Sequence, residues 1–219
     1  AGEKISLISG ICNDRGRLAA RSGLGAVMGS KKLKAILLAG TKSIPCADLA
    51  GVKRLSKECA AFMPKGELNI PTWVIAIAGW FLGSSPRTMR LDGLSSLPIM
   101  RKWGTSGGMQ VGLLTGDTPI KNWHGTRSDY PWKKLDPAKI DQSMIKRYHC
   151  YACPLGCGAI SHGTGGFAET HRPEYETLAA FGPMALNTDL DSIFYINELL
   201  NRAGMDSISA GGTLAFAIN

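Results

Sequence analysis

A cluster of cysteines constrains this chain more than any other feature of its sequence. Cys150, Cys153 and Cys157 lie within eight residues, separated by two positions and then by three. Pro154 follows the second cysteine, and a glycine stands on each side of the third. Glycine tolerates positive φ angles, so such a loop can turn tightly and aim its N–H groups at thiolates or cluster sulfides. The spacing therefore predicts a loop that wraps a metal centre.

Several kinds of site could use three cysteines in this arrangement. A 4Fe-4S cluster often takes three ligands from one loop and the fourth from elsewhere, whereas structural zinc more often takes two separated pairs. The spacing therefore favours an iron–sulfur cluster and leaves zinc, a disulfide or ordinary buried thiols as alternatives. The order of two and then three intervening residues is the reverse of that in radical-SAM enzymes, which disfavours that class.

The composition is that of a globular protein. The 219 residues are 44% hydrophobic and 19% charged. The longest apolar run, residues 73–83, has about half the length of a membrane span, and no charged-then-apolar leader opens the sequence. No membrane span or export signal is therefore predicted. Six cysteines, three of them clustered, are too few for a disulfide scaffold and predict a reducing, cytoplasmic location.

The chain is strongly basic, with a formal net charge of +8. This charge predicts an acidic protein partner or an anionic ligand, and an evenly solvated basic surface is the alternative. No nucleic-acid partner is predicted. The chain also lacks an initiator methionine and ends within an apolar, helix-like pattern. We therefore expect it to be a piece of a longer protein.

Apolar periodicity predicts two strands near the start of the chain and a series of helices after them. The strands are predicted at residues 4–12 and 34–40. The helices are predicted at residues 47–63, 108–114, 137–147, 173–182, 188–203 and from 207 onward, with residues 71–83 forming either a helix or a buried loop. Thr188 and Asp191 form a candidate capping box, and Gly204 is the expected stop. Cys59 is expected in the core, and the tryptophans at 103, 123 and 132 are expected to pack around irregular backbone.

An arginine- and glycine-rich segment separates the two predicted strands. Residues 13–32 contain five basic residues and four glycines, a combination that suits a phosphate or another flat anionic cofactor. The known phosphate motifs nevertheless fail here. Ser30 and Lys31 are in the wrong order for a Walker A loop, and Met28 stands where a dinucleotide fingerprint needs glycine. From its residues alone, the segment is either an anion site or a structural turn.

Four segments, in this order along the chain, resemble the aldehyde ferredoxin oxidoreductase family of tungsten or molybdenum bis-pterin enzymes. They are residues 21–35, 150–157, 173–178 and 201–209. The resemblance implies an α+β fold. Residues 1–45 would be the end of a β-rich, N-terminal pterin-binding domain, and residues 46–219 a mainly helical middle domain that carries the iron–sulfur loop.

The resemblance also implies roles for individual residues. Cys150, Cys153 and Cys157 would bind a 4Fe-4S cluster, whose fourth ligand would come from a segment outside this chain. Glu176 would stand beside the metal as a general acid or base. The remaining implied contacts are with the pterins: Arg17, Leu18 and Arg21 at the pterin phosphates and their bridging magnesium, and Asn201, Gly204 and Asp206 in a pterin-contacting motif.

The chain departs from the family pattern at three positions. Asn201 replaces the first aspartate of the pterin motif, and an amide carries no charge and presents a donor as well as an acceptor. Met205 replaces the leucine of the same motif. Ser22 replaces a glycine, which is tolerable if the backbone there keeps an ordinary φ angle.

The activity implied by the resemblance is oxidation of a small aldehyde to a carboxylic acid at a tungsten bis-pterin centre. Electrons would pass through the cluster to ferredoxin or another acidic electron carrier, and the whole protein could be a homo-oligomer. The alternatives are a related tungsten enzyme that reduces an aromatic acyl thioester or a carboxylic acid, and a non-catalytic iron–sulfur or zinc module. The isolated fragment could be inactive under any of these assignments.

Overall fold

Two small antiparallel sheets and a set of helices form the fold in the computed structural model. The structure describes residues 1–13, 17–66, 68–84, 93–150 and 153–218. Within these ranges the helices are α1 Leu24–Ser30, α2 Leu49–Ala61, α3 Thr72–Ser84, α4 Gly93–Trp103, α5 Met109–Thr115, α6 Pro137–Asp141, α7 Tyr175–Phe181, α8 Leu190–Ala203 and α9 Ser207–Ile218. This mixture of helices and small sheets is compatible with the predicted α+β class.

The strands are short and pair only with close neighbours in sequence. β1 (Ile11–Asn13) pairs with β2 (Arg17–Ala19) as a hairpin, with Cys12 opposite Leu18. β3 (Met144–Tyr148), β4 (Gly158–His162) and β5 (Glu169–His171) form a second antiparallel sheet in that order. Residues 149–157, here called the cysteine segment, connect β3 to β4. Both ends of this segment are therefore anchored in one sheet. Gly163–Gly166 lies in the β4–β5 connection.

The strand predicted at residues 4–12 is wrong over most of its length. Only its last two residues belong to β1, and the chain before them forms a 3₁₀ helix at Gly2–Lys4 and a turn in which the Ser9 amide donates to the Ser6 carbonyl over 3.0 Å. Tertiary contacts take up the remaining backbone groups. The Gly10 amide donates to the Gly204 carbonyl over 2.9 Å, and the Ile8 carbonyl accepts from the Asp206 amide over 2.8 Å.

The second predicted strand and the predicted burial of Cys59 are also wrong. Residues 33–46 contain no regular element, and Leu37 and Leu38 are 95% and 88% exposed. The apolar run in this segment is exposed along its whole length. α2 matches the predicted helix, with the Asp48 carboxylate accepting from the Gly51 amide over 2.8 Å as a cap. None of the residues of α2 is buried, however, and Cys59 is exposed with the rest.

The helix predicted at residues 137–147 is correct only in its first half. α6 ends at Asp141, and β3 begins at Met144 because that stretch pairs with β4 on the far side of the cysteine segment. Residues 71–83 are a helix rather than a loop, and α5 confirms the short helix predicted near residue 108. Of the three tryptophans, Trp103 is buried, Trp132 is partly buried and Trp123 is 63% exposed.

The C-terminal helices follow the predictions closely. α8 is stopped by Gly204, whose φ of 64° is left-handed, and α9 begins at Ser207. The N-cap of α8 is Asp189 rather than Thr188, because its carboxylate accepts from the Asp191 amide over 3.1 Å. Ser22 has a φ of 72°, so the condition under which serine would replace glycine without strain, an ordinary backbone angle, is not met. A left-handed angle at a residue other than glycine costs roughly 1–2 kcal/mol.

The core lies between α5, α7 and α8, with the 3₁₀ helix Trp132–Leu135 and α6 beside it. Met109, Leu178 and Ile193 are completely buried, one from each of the three main helices. α8 packs against β5, so this helix joins the core to the second sheet. No helix among the described residues is both apolar enough and long enough to cross a bilayer.

We expect Leu178→Ala to lower the free energy of unfolding by about 2–5 kcal/mol, because it removes a fully buried side chain and leaves a cavity. Leu199→Ala is the matched control, since Leu199 is 46% exposed on α8 and should change stability by about 0.5 kcal/mol or less. Urea unfolding monitored by circular dichroism measures both. Equal losses in the two variants would contradict the placement of the core.

Candidate functional site

The candidate site is centred on Arg17, which β2 places opposite the start of α7. Its Nη1 donates to the Glu174 carboxylate over 3.4 Å, and its guanidinium lies 4.9 Å from the centroid of the Tyr148 ring. Nε and Nη2 are buried and have no hydrogen-bond partner among the described residues. Buried donors are rarely left unpaired, so two such N–H groups on one cation point to an anionic ligand.

The ion pair between Arg17 and Glu174 does not use all the hydrogen-bond donors of the arginine. Both side chains are 36% exposed, and a pair of that kind contributes roughly 1 kcal/mol or less. Burial by itself lowers the pKa of Arg17, but the opposing influence of Tyr148, Glu174 and the nearby cysteines raises it overall. The guanidinium therefore keeps its full charge, and two of its donors are unused within the part of the chain that the structure describes.

A cavity of about 230 Å³, here called the Arg17 cavity, lies on one side of this guanidinium. Four of the predicted pterin-contacting residues line it together, although they are far apart in sequence: Arg17, Leu18, Asn201 and Asp206. Its other lining residues are Ala20, Tyr148, His171, Arg172, Glu174, Thr177, Asn197, Met205 and Ser207. The fold therefore brings the hairpin and the α8–α9 turn to one site.

The other two predicted pterin residues lie outside the Arg17 cavity. Arg21 is 68% exposed, and its Nε stands 4.0 Å from a carboxylate oxygen of Asp206. Gly204 lines a separate cavity of about 630 Å³ with the N-terminal segment. Asp206 itself is 4% exposed and caps α9, since its carboxylate accepts from the Ser209 amide over 2.9 Å.

A larger cavity of about 760 Å³, here called the Cys150 cavity, lies on the other side of Arg17 and Tyr148. It is lined by Arg17, Lys146, Tyr148, His149, Cys150, Ile160, Ala168, Glu169, Thr170, His171, Glu198 and Arg202. The Tyr148 hydroxyl and His171 Nδ1 form a hydrogen bond of 2.8 Å across the wall between the two cavities. Arg17, Tyr148 and His171 therefore separate the two spaces and face both of them.

The cysteine segment turns tightly, as its sequence predicts. The Cys153 amide donates to the Cys150 carbonyl over 3.0 Å, and Gly156 adopts a φ of 66°. His149 Nδ1 lies 3.1 Å from the Cys153 carbonyl and so closes the turn from the strand side. Tyr151 and Ala152 lie outside the described residues. No disulfide joins the three thiols, and Cys150 is exposed while the other two are half-buried.

The thiols do not by themselves form a ready metal site. Within the described ranges, no three His, Cys, Asp or Glu side chains converge on a point that could hold a metal ion. Burial raises the pKa of the Cys157 thiol, and the charge of Glu174 raises it further against the opposing effect of Arg17. Without a metal, this cysteine therefore favours its neutral form more than an ordinary thiol does. The assignment of these cysteines as metal ligands stays a prediction.

Glu176 does not line either cavity. It lies in the first turn of α7 with its side chain exposed, whereas the next five residues of the helix are buried. The neighbouring Glu174 faces inward, and its second carboxylate oxygen accepts from the Thr105 hydroxyl over 2.5 Å. The expected dry surroundings of Glu176 are thus not provided by the described residues, and its acid–base role stays a prediction.

Several residues of the site could not be found from the sequence. Glu174, Tyr148 and His171 are not identifiable as site residues from the sequence, because their roles depend on their positions around Arg17, more than 100 positions away. Asn197 was missed altogether, although its amide donates to the His171 carbonyl over 2.8 Å and supports the cavity wall. An inward-facing amide on the apolar face of α8 was the one available signal.

Comparison with known proteins gives two profile matches on this chain. The profile described as "Aldehyde ferredoxin oxidoreductase, domains 2 & 3" matches residues 88–219. The profile described as "Aldehyde ferredoxin oxidoreductase, N-terminal domain" matches residues 1–40. Together they include every residue placed in the candidate site.

Curated relatives resemble the chain over its whole length. The tungsten-containing aldehyde ferredoxin oxidoreductase of Pyrococcus furiosus is 33% identical over 220 residues, and that of Thermococcus kodakarensis is 32% identical over 220 residues. Each match covers 100% of this chain and 31% of the relative, so the chain spans about a third of the length of these proteins. The aliphatic sulfonate oxidoreductase, WOR-like subunit, of Pyrococcus furiosus is 29% identical over 202 residues, which are 89% of this chain and 27% of that protein.

The half-buried position of His171 predicts a pH-dependent stability. Burial lowers its pKa from the ordinary 6.5, and Arg17 lowers it further against the opposing effects of Glu198 and Glu174. As the pH falls below about 6.5, the unfolded chain takes up a proton at this residue before the folded chain does, so stability falls. Above that pH His171 is neutral in both the folded and the unfolded chain, so its full contribution to stability is present.

We therefore expect the urea midpoint of the wild type to fall more between about pH 8 and about pH 5.5 than that of His171→Gln. His124→Gln, at an exposed position in a turn, is the control for removal of a histidine. Identical pH dependences of the wild type and His171→Gln would contradict a lowered pKa of His171 in the folded chain.

Proposed function

The chain belongs to the aldehyde ferredoxin oxidoreductase family, and on that premise we propose that the whole protein oxidises an aldehyde to a carboxylic acid at a tungsten bis-pterin centre. The observation that carries the proposal is that two buried donors of Arg17 have no partner among the described residues, in a cavity shared with Leu18, Asn201 and Asp206. Molybdenum in place of tungsten fits the same residues, but the first relatives are named as tungsten-containing and favour tungsten.

The residues of the Arg17 cavity fit a pterin phosphate. A guanidinium offers two parallel N–H groups to a phosphate, and Arg17 has two such groups without partners among the described residues. Asn201 and the buried Asp206 line the same cavity and would supply further donor and acceptor groups. Leu18 would offer its carbonyl to a magnesium ion at the phosphates, and the exposed Arg21 and the left-handed Gly204 would complete the surroundings.

The cysteine segment would supply three thiolates to a 4Fe-4S cluster beside the pterin site. Cys150 lines the larger cavity, whose wall includes Arg17, so the proposed cluster and pterin sites are adjacent. When bound, the metal–pterin centre would supply two-electron redox chemistry, and the cluster would supply one-electron transfer. Oxidation of an aldehyde with water gives a carboxylic acid, two electrons and two protons.

The chain's own residues would bind, orient and manage protons. Arg17 holds the anionic end of the cofactor, and Tyr148 stacked against it limits the positions of the guanidinium. Glu176 would receive a proton at its carboxylate from a hydroxyl of the hydrated aldehyde. The electron acceptor would be ferredoxin, because an acidic carrier complements a chain with a net charge of +8.

An aliphatic sulfonate is the second candidate substrate class. The observation in its favour is the 29% identity to the WOR-like subunit named for that activity. The higher identity to the aldehyde enzymes, 33% and 32%, places an aldehyde first. Turnover of a panel of aldehydes and alkyl sulfonates by the full-length protein, with a ferredoxin as acceptor, separates the two.

The deciding experiment is metal analysis of the full-length protein purified without oxygen. We expect about four iron atoms and about one tungsten or molybdenum atom per chain. Cys150→Ser should lose iron because it removes a predicted cluster ligand, and Arg17→Met should lose tungsten while it retains iron. A charge-assisted hydrogen bond contributes roughly 1.5–3 kcal/mol, so loss of the arginine should weaken cofactor retention about tenfold or more.

Cys59→Ser is the matched control, since Cys59 is an exposed thiol on α2 and should change no metal content. Iron without tungsten or molybdenum would favour a non-catalytic electron carrier. One zinc atom with neither iron nor tungsten would overturn both the cluster and the catalytic proposal.

The two carboxylates at the start of α7 allow a paired test of the acid–base group. We expect Glu176→Gln to lower aldehyde turnover by about 10²–10⁴-fold with unchanged metal content, because general acid–base catalysis contributes that much. Glu174→Gln should retain more activity, since an amide oxygen can still accept from Thr105. Steady-state kinetics measure both variants. Full aldehyde turnover by Glu176→Gln, together with none by Glu174→Gln, would assign the acid–base role to Glu174 instead.

A further inference from the structure

We propose that Arg172 is a positioning residue for the iron–sulfur site, which fixes the backbone of Cys157 and holds a buried positive charge beside the cysteine segment. This inference rests on the proposed function, because it assumes that the segment binds a cluster. It assigns a role to a side chain that neither the cysteine spacing nor the pterin-contacting residues include.

The contacts of Arg172 converge on the last cysteine. Its Nη2 donates to the Cys157 carbonyl over 2.6 Å, and its Nη1 donates to the Asp141 carboxylate over 2.6 Å. Its own amide donates to the Ala159 carbonyl over 2.8 Å, two residues beyond that cysteine. The side chain is 4% exposed, so both guanidinium contacts are shielded from water. One arginine thus ties the end of α6, the chain after β5 and the exit of the cysteine segment together.

A glycine makes room for this contact. Gly104 has a φ of 65°, in the left-handed region that disfavours other residues. A Cβ at this position would overlap the Arg172 guanidinium and lie 2.6 Å from the Cys157 carbonyl. The 3₁₀ helix Gly104–Gly108 therefore packs its backbone directly against the contact between the arginine and the cysteine. Three separate parts of the chain converge at a carbonyl that belongs to a predicted cluster ligand.

The arginine's position also has an electrostatic consequence. The reduced form of an iron–sulfur cluster carries one more negative charge than the oxidised form, and its potential depends on nearby charges and hydrogen bonds. A cation held in a poorly solvated site favours the more negative, reduced form. The charge of Asp141 offsets part of that effect. Removing Arg172 should therefore lower the reduction potential of the cluster, and neutralising Asp141 should raise it.

A purely structural role predicts a different outcome. If Arg172 only joined α6 to the sheet, any loss of its ion pair would reduce stability and iron content in the same way. A purely structural role would not shift the reduction potential of the cluster in opposite directions when Arg172 and when Asp141 is replaced. The sign of the shift, rather than its size, therefore separates positioning of a cluster from simple cross-linking of the fold.

The experiment uses full-length protein purified anaerobically, with iron counted per chain and the cluster potential measured by redox titration followed by electron paramagnetic resonance. We expect Arg172→Met to shift the potential to more negative values and to lose iron to a chelator about tenfold faster than the wild type, as outer-shell substitutions commonly do. Arg172→Lys keeps the charge and should retain the wild-type potential, while it still loses iron faster because one ammonium cannot hold both partners.

Asp141→Asn keeps an acceptor for Arg172 and should shift the potential to more positive values, which maintains the test if Arg172→Met fails to fold. Arg54→Met is the matched control, because Arg54 pairs with Glu58 on the exposed helix α2 and should leave both readouts unchanged. Unchanged potentials and iron release in the variants of both Arg172 and Asp141 would overturn the inference. A wild type without iron would instead overturn the proposed function.

Discussion

Two backbone hydrogen bonds set the geometry on which the candidate site depends. The Gly10 amide donates to the Gly204 carbonyl, and the Asp206 amide donates to the Ile8 carbonyl. They fasten the first segment of the chain to the turn between α8 and α9, nearly 200 residues away. The β1–β2 hairpin follows directly from that segment. Because Arg17 lies on the returning strand of the hairpin, this attachment places its guanidinium across the cavity from Asp206.

The helices were more predictable than the strands, for a physical reason. The α8 pattern carries its own apolar stripe, cap and left-handed stop at Gly204, so local residues decide it. Strand pairing depends on what else is nearby. Residues 4–12 alternate like a strand, but their backbone groups pair with the α8–α9 turn instead. The local pattern predicts that residues 144–147 continue α6. They instead pair with β4 in a sheet, because the cysteine segment folds back. Neither partner is visible in a local pattern.

The site was predictable where it follows sequence motifs and not where it depends on contacts between distant parts of the chain. The resemblance selected Arg17, Leu18, Asn201 and Asp206, and the fold gathers these four around one cavity. The inward-facing Glu174 could not be distinguished from its neighbour two positions later, because the start of α7 was known only approximately. Burial in the core of the following residues of α7 decides which carboxylate turns inward.

The position of Arg17 between two cavities has a thermodynamic consequence. A single guanidinium lines the space beside Asp206 and the space beside Cys150. A negative charge in either space therefore competes for the same positive charge, so each occupant changes the binding free energy of the other. Such coupling is reciprocal: whatever factor a cofactor phosphate imposes on an anion in the larger cavity, that anion must impose on the phosphate. The wall between the cavities thus links the two sites without any change of fold.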